Sequence, residues 1–108
     1  MKNDKFYLRH VLDAIEKIEE YTVRKTFRSF SANDMMVDAV TRQFEIIGEA
    51  ASKVSADFQE KHSHVPWSQA IGMRNRLIHE YFGVNKKIVW QTCKKDLKGL
   101  KKQIEKLL

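Results

Sequence analysis

The 108-residue chain contains one cysteine, one proline and four glycines. Cys93 alone makes no internal disulfide, which excludes a stapled secreted scaffold. No run approaches the ~18 consecutive apolar residues that a membrane span needs. The first residues are polar and charged, without the apolar centre of a signal peptide. Together these absences lead to the expectation of a reduced, cytoplasmic setting and no membrane. There is no Asn-Gly or Asp-Gly pair and no sustained alternation of apolar and polar residues, so strands are not expected. A glycine-rich phosphate loop, an acidic cluster for magnesium and a serine or cysteine beside a recognisable base are all missing. No metal and no cofactor are therefore expected. His62 and His64 form a His-x-His pair, but no further ligand cluster completes a zinc site nearby, and a solvent-exposed loop is the expectation.

Hydrophobic residues make up 43% and charged residues 31%, a balance that suits one globular domain over residues 1–108. The net charge is +6 and unevenly placed. Residues 86–108 hold eight lysines and two acids, whereas residues 1–85 balance to zero. The last helix thus supplies the whole excess, which would either attract a phosphate backbone or form a solvated face. Lys86 and Lys87, with Arg76, are the candidate RNA-binding residues.

Apolar spacing of three and four predicts four main helices. Helix one runs from Asn3 or Asp4 to Tyr21, on Leu8, Val11, Ile15, Ile18 and Thr22. A connector follows from Tyr21 to Phe30, with Ser31 as the next N-cap and Phe30 and Met35 at the spacing of a hydrophobic staple. Helix two runs from Ala32 to Phe58 on Val37, Val40, Phe44, Ile47, Ala51, Val54 and Phe58. Its other face, with Ile46 and Ala50 among Arg42, Glu45 and Glu49, would meet a partner chain or line a site. Gly48 beside the main stripe allows close helix approach. After a polar loop from Gln59 to Val65, helix three runs from Pro66 to about Phe82. Helix four runs from Asn85 to Leu108, with Trp90, Cys93, Leu97, Leu100 and Ile104 as a narrow seam. Cys93 on that seam reads as a core residue. The expected fold is all-α, an up-down bundle.

The stretch that carries chemistry is Arg74-Asn75-Arg76-Leu77-Ile78-His79-Glu80-Tyr81. On a helical wheel at about 100° per residue, Arg74 falls in the middle of the apolar arc of helix three. A guanidinium there is costly unless paired. Asn75 and His79 would be neighbours on a second face. These groups suffice for RNA transesterification, in which the 2′-hydroxyl supplies the nucleophile. A histidine takes or gives the proton near neutral pH, and a fixed guanidinium stabilises charge on the phosphoryl oxygens. Each residue also has a plain structural reading. Arg74 would pair with Glu45 or Glu49, His79 would favour a helix C-terminus, and Tyr81 would be a core aromatic.

The stretch from Arg74 to His79 resembles the Arg-x4-His ribonuclease motif of HEPN domains, and Glu80-Tyr81 extends it to the Arg-x4-His-x-Tyr form of HepT-like toxins. The block from Arg42 to Ala50, Pro66-Trp67, the run from Tyr81 to Val84, and Trp90 carry the same resemblance in the same order. The resemblance implies a dimeric all-α HEPN bundle acting as a metal-independent endoribonuclease toxin on RNA. It implies Arg74 and His79 as the catalytic pair, with Asn75 in support. It also implies Tyr81 as the tyrosine that a cognate minimal nucleotidyltransferase (MNT-type) antitoxin modifies with AMP. Glu80 puts a carboxylate beside that site. A second reading makes the chain a non-catalytic helical binding partner of such a nucleotidyltransferase, and a third a purely structural bundle.

Overall fold

The spacing from Leu8 to Ile18 makes one helix, α1, over Asp4–Thr22 in the computed structural model. The structure describes residues 3–73, 75, 78–79 and 83–108. Leu8, Val11, Leu12, Ile15 and Ile18 are buried as their periodicity requires. Thr22 ends the stripe, and its hydroxyl donates to the Ile18 carbonyl at 2.8 Å.

The connector expected after α1 contains a further short helix, α2, over Phe27–Ser31. Thr26 and Ser29 make its capping box, each side chain accepting from the other's backbone N–H. Ser31 lies inside α2, so the cap of the next helix is Asn33, whose side chain accepts from Met36 N at 3.1 Å. The staple does not form: Phe30 is fully buried and packs on Trp90 at 5.2 Å, while Met35 is 83% exposed.

Helix α3 spans Asp34–Ser52 and faces α1 across the core with Val37, Val40, Phe44, Ile47 and Ala51. It does not continue to Phe58. The chain turns at residues 53–55 and begins α4 over Ala56–Lys61, which takes in the end of the expected helix two and the first three residues of the expected polar loop. Three side chains hold this break. Ser55 caps α4 by accepting from Phe58 N at 3.2 Å. Gln59 Nε2 donates to the Val54 carbonyl at 2.9 Å and to that of Ala51 at 3.4 Å, satisfying acceptors that a helix end leaves open. Asp4 at the start of α1 accepts from the N–H and the hydroxyl of Ser55.

The expected long third helix is also divided. Helix α5 covers Trp67–Ile71 and stops at Gly72. Further on, β1 at Ile78–His79 pairs antiparallel with β2 at Gly83–Val84, with Ile78 opposite Val84 and His79 opposite Gly83. A helix through Phe82 is thereby corrected. β-Branched Ile78 and Val84 suit extended backbone, and glycine at 72 and 83 weakens helix continuity. The fold is all-α apart from this two-residue ladder.

The last helix is interrupted at Asp96, giving α6 at Lys86–Lys95 and α7 at Leu97–Leu107. Leu97, Leu100 and Ile104 are buried as expected, against α1. Before the break the buried residues are Val89 and Thr92, each one position ahead of the expected Trp90 and Cys93, which are half-buried. The interruption lets each half present its own stripe. Lys101 Nζ donates to Glu19 Oε1 at 2.8 Å and ties α7 to α1, and this bond holds the Lys101 ammonium above its ordinary pKa. Among the described residues no helix is long and apolar enough to cross a membrane.

Candidate active site

Helix α5 lies unusually close to α3, and Gly48 is the reason. A Cβ built there would stand 3.0 Å from the Ile71 carbonyl oxygen and 3.4 Å from that of Ala70. Both neighbours are backbone atoms, so any side chain at 48 would push α5 away by a few tenths of an ångström. Trp67 is buried, and its indole N–H donates to the His62 carbonyl at 3.0 Å. Ala70 and Met73 complete the buried side of this segment.

The close approach leaves an open groove of about 400 Å³ lined by Arg42, Glu45, Gly48, Glu49, Ser52, Ile71 and Asn75. Arg42, Glu45 and Glu49 are the charged face of α3. Arg42 Nη1 lies 4.0 Å from Glu45 Oε1, an exposed pair across one helical turn that adds little stability. Ser52 donates its hydroxyl to the Glu49 carbonyl at 2.6 Å. Asn75 is exposed at the edge of the groove. The lining therefore offers one cation, two carboxylates and an amide that both donates and accepts. The carboxylates accept from hydroxyl or amino groups, whereas the guanidinium and amide suit an anionic oxygen.

Of the candidate site residues, Asn75 thus opens onto the groove. His79 has its backbone in β1, opposite Gly83. The helical i,i+4 relation expected between Asn75 and His79 does not hold, because the His79 backbone lies in β1. Arg74, Arg76, Glu80 and Tyr81 lie outside the described residues. Lys86 is engaged: its ammonium donates to the Ser31 carbonyl at 2.9 Å and contacts Asp34 at 3.3 Å. Lys87 is exposed. The sequence did signal the charged side of α3 as a site face. It gave no signal for Ser52, at the end of α3, or for Ile71, which α5 brings against Gly48.

Of the His62-His64 pair, His62 is half-buried and His64 exposed. His62 stacks on Phe58 with centroids 4.4 Å apart, and the His64 carbonyl accepts from Gln103 Nε2 at 3.3 Å. Among the described residues no three His, Cys, Asp or Glu are grouped to hold a metal ion. Burial pushes the Cys93 thiol up to about 12, with Lys94 opposing weakly, which suits a packing residue rather than a nucleophile.

Comparison with known proteins agrees with the family resemblance. A family model described as "Ribonuclease HepT-like" matches residues 11–107. A putative RNase of Caldanaerobacter subterraneus subsp. tengcongensis is 43% identical over 108 residues, covering 100% of this chain and 96% of that protein. A probable ribonuclease HepT of Thermococcus cleftensis is 42% identical over 106 residues, covering 98% and 96%. A Methanocaldococcus jannaschii protein named gamma-glutamylcyclotransferase and putative RNase is 45% identical over 107 residues; the match spans 99% of this chain but 48% of that longer protein. No solved structure matches significantly. With nearly its whole length matched by one family and by relatives of the same size, the chain belongs to the ribonuclease HepT-like family.

Proposed function

We propose that this protein is a metal-independent endoribonuclease, the toxin of a HEPN/MNT toxin-antitoxin pair, working as a homodimer in the cytoplasm. The observation that carries the reading is the position of Asn75. It is exposed on a groove of mixed charge, one residue after Arg74 and four before His79, in a chain of the HepT-like family.

In this reading RNA enters the groove. The 2′-oxygen of a ribose attacks the adjacent phosphorus while its proton passes to a base. The bond from phosphorus to the 5′-oxygen breaks, and that oxygen leaves protonated. His79 performs proton transfer, and Arg74 holds the phosphoryl oxygens as negative charge grows on them. Asn75 orients the imidazole or the phosphate. Glu45 and Glu49 accept hydrogen bonds from ribose hydroxyls or base amino groups and repel misplaced phosphate. Arg76 and Lys87 hold flanking phosphates. Lys86, already bonded within the fold, contributes charge rather than a direct contact.

The nucleotidyltransferase antitoxin transfers AMP from ATP to the Tyr81 phenol oxygen, releasing pyrophosphate. The added phosphate sits two residues from His79 and repels the RNA backbone.

Cleavage of RNA by the purified protein in EDTA tests the reading. Wild type should cleave, and His79→Ala should lose at least about 100-fold of the rate, the usual size of a general acid–base contribution. Equal rates for the two proteins would remove the assignment, and loss of wild-type activity in EDTA would remove metal independence.

A further inference from the structure

Two stretches of the chain carry cations and no acid. Residues 23–31 contain Arg24, Lys25 and Arg28, and residues 86–95 contain Lys86, Lys87, Lys94 and Lys95. The fold sets them side by side, with α2 packed on α6. Lys94 Nζ donates to the Thr22 carbonyl at 3.4 Å, and Lys86 reaches Ser31. Arg24, Lys25, Arg28, Lys87 and Lys95 are exposed. The three cations of the first stretch form no ion pair with any described residue.

An aromatic ring lies among them. Phe27 is 40% exposed, and its centroid is 6.4 Å from that of Trp90. Trp90 also packs on Phe30 at 5.2 Å, and Lys94 Nζ stands 4.7 Å from its ring. Phe27 is the first residue of α2, whose start is held by the Thr26–Ser29 capping box. It is therefore a partly open ring within a basic stretch of the chain.

Arg24 has φ of 60°, in the left-handed region. It directly follows the C-cap of α1, where glycine is the usual occupant because a Cβ is disfavoured there. The turn is closed by the Lys25 N–H, which donates to the Thr22 carbonyl at 3.1 Å, and the Arg24 side chain stands exposed without an ion pair to a described residue.

We propose that this face binds single-stranded RNA, with phosphates on Arg24, Lys25, Arg28, Lys87 and Lys95 and one unpaired base stacked on Phe27. Cations bring the backbone, and an exposed ring accepts any base without sequence preference. An acidic protein surface would satisfy the cations but would leave the open ring without purpose. Helix α6 starts at its Asn85 cap, immediately after β2, so the face continues from the hairpin that contains the His79 backbone. The inference rests on RNA as the substrate and specifies how the strand leaves the active site.

Binding is measured by fluorescence anisotropy with a labelled single-stranded RNA of mixed sequence, in full-length His79→Ala protein so that the probe is not consumed. Replacing Arg24, Lys25 and Arg28 with glutamine should weaken binding at least about tenfold at moderate salt. The slope of log affinity against log salt should fall by about 2, at roughly 0.7 per lost phosphate contact. Phe27→Ala should weaken binding while leaving that slope unchanged. Arg24→Gly should raise the melting temperature and still weaken binding, a combination that a structural arginine would not give, and it serves if the triple variant fails to fold. Unchanged affinity and slope in these variants would overturn the proposal, as would retained RNA affinity with loss of an acidic protein partner. Wild-type cleavage is scored separately, so a protein that binds RNA here without cutting it would remove the nuclease reading and leave this face standing.

Discussion

Asp4 and Ser55, 51 residues apart, are joined by two hydrogen bonds: the Ser55 N–H donates to Asp4 Oδ1 at 2.7 Å and its hydroxyl to Oδ2 at 2.9 Å. The same hydroxyl accepts from Phe58 N, so one carboxylate fixes both the start of α1 and the cap of α4. Asp4→Ala should destabilise the protein by about 3 kcal/mol, since it removes two hydrogen bonds to a charged group, each worth roughly 1.5 kcal/mol at the partly exposed end of their range. Ser55→Ala should cost about as much, because it keeps the backbone bond to Asp4 but loses the hydroxyl bond and the cap. Chemical denaturation of both single variants and the double variant checks this. The double variant should fall short of the sum of the two singles, as expected for groups in one network.

Gly48→Ala sets two effects against each other. Alanine gains about 1 kcal/mol of helix propensity. Its Cβ would meet the Ile71 carbonyl oxygen at 3.0 Å, and overpacking against backbone costs roughly 1–3 kcal/mol. The backbone neighbour cannot rotate away, so net destabilisation is expected in a denaturant melt. Because α5 must shift, the groove beside Asn75 changes shape too. RNA cleavage should fall further than lost stability alone explains.

The sequence made the packing spine legible and the interruptions illegible, for one physical reason. Spacing of three and four reports which residues face inward, so Leu8 to Ile18, Val37 to Ala51 and Leu97 to Ile104 are buried as read. The breaks depend on contacts made across the fold. Nothing near Lys53 in the chain reveals that Asp4 will clamp Ser55, and no glycine or proline marks the turn. The wheel argument for Asn75 and His79 carried helical geometry into β1, which pairs as a strand. The family was legible because spacing in the chain, not wheel geometry, carried the resemblance. The basic face of α2 and α6 needed the fold, since neither stretch alone is unusual.

Cys93 should be inert in the folded protein. Burial raises its thiol from the ordinary range to about 12, so the thiolate is scarce at pH 8. Alkylation by iodoacetamide should run at least about 100-fold slower than for a free thiol and become fast in denaturant. The linked stability has a definite sign. A thiol whose folded pKa is raised favours the folded state below its unfolded pKa near 9, and this contribution is lost as pH rises from there toward 12. Cys93→Ala should flatten part of that alkaline decline without altering RNA cleavage. Rapid alkylation of native protein would show the thiol to be open and activated.

Tyr81→Phe separates toxicity from its control in the proposed pair. The substitution removes only the phenol oxygen, the atom that attacks the α-phosphorus of ATP in AMP transfer. The proton lost from that oxygen and the pyrophosphate released complete the exchange. Intrinsic RNA cleavage by Tyr81→Phe should stay near wild type, because the catalytic roles fall to Arg74 and His79. Co-expression with the nucleotidyltransferase should then leave the variant active, whereas the wild type is silenced and gains the mass of one AMP group. Mass spectrometry of tryptic peptides reads the adduct directly. An adduct of the same mass on Tyr81→Phe protein would move the modification to another residue. Silencing of that variant without any adduct would mean that the antitoxin works by occupying the groove rather than by charging it.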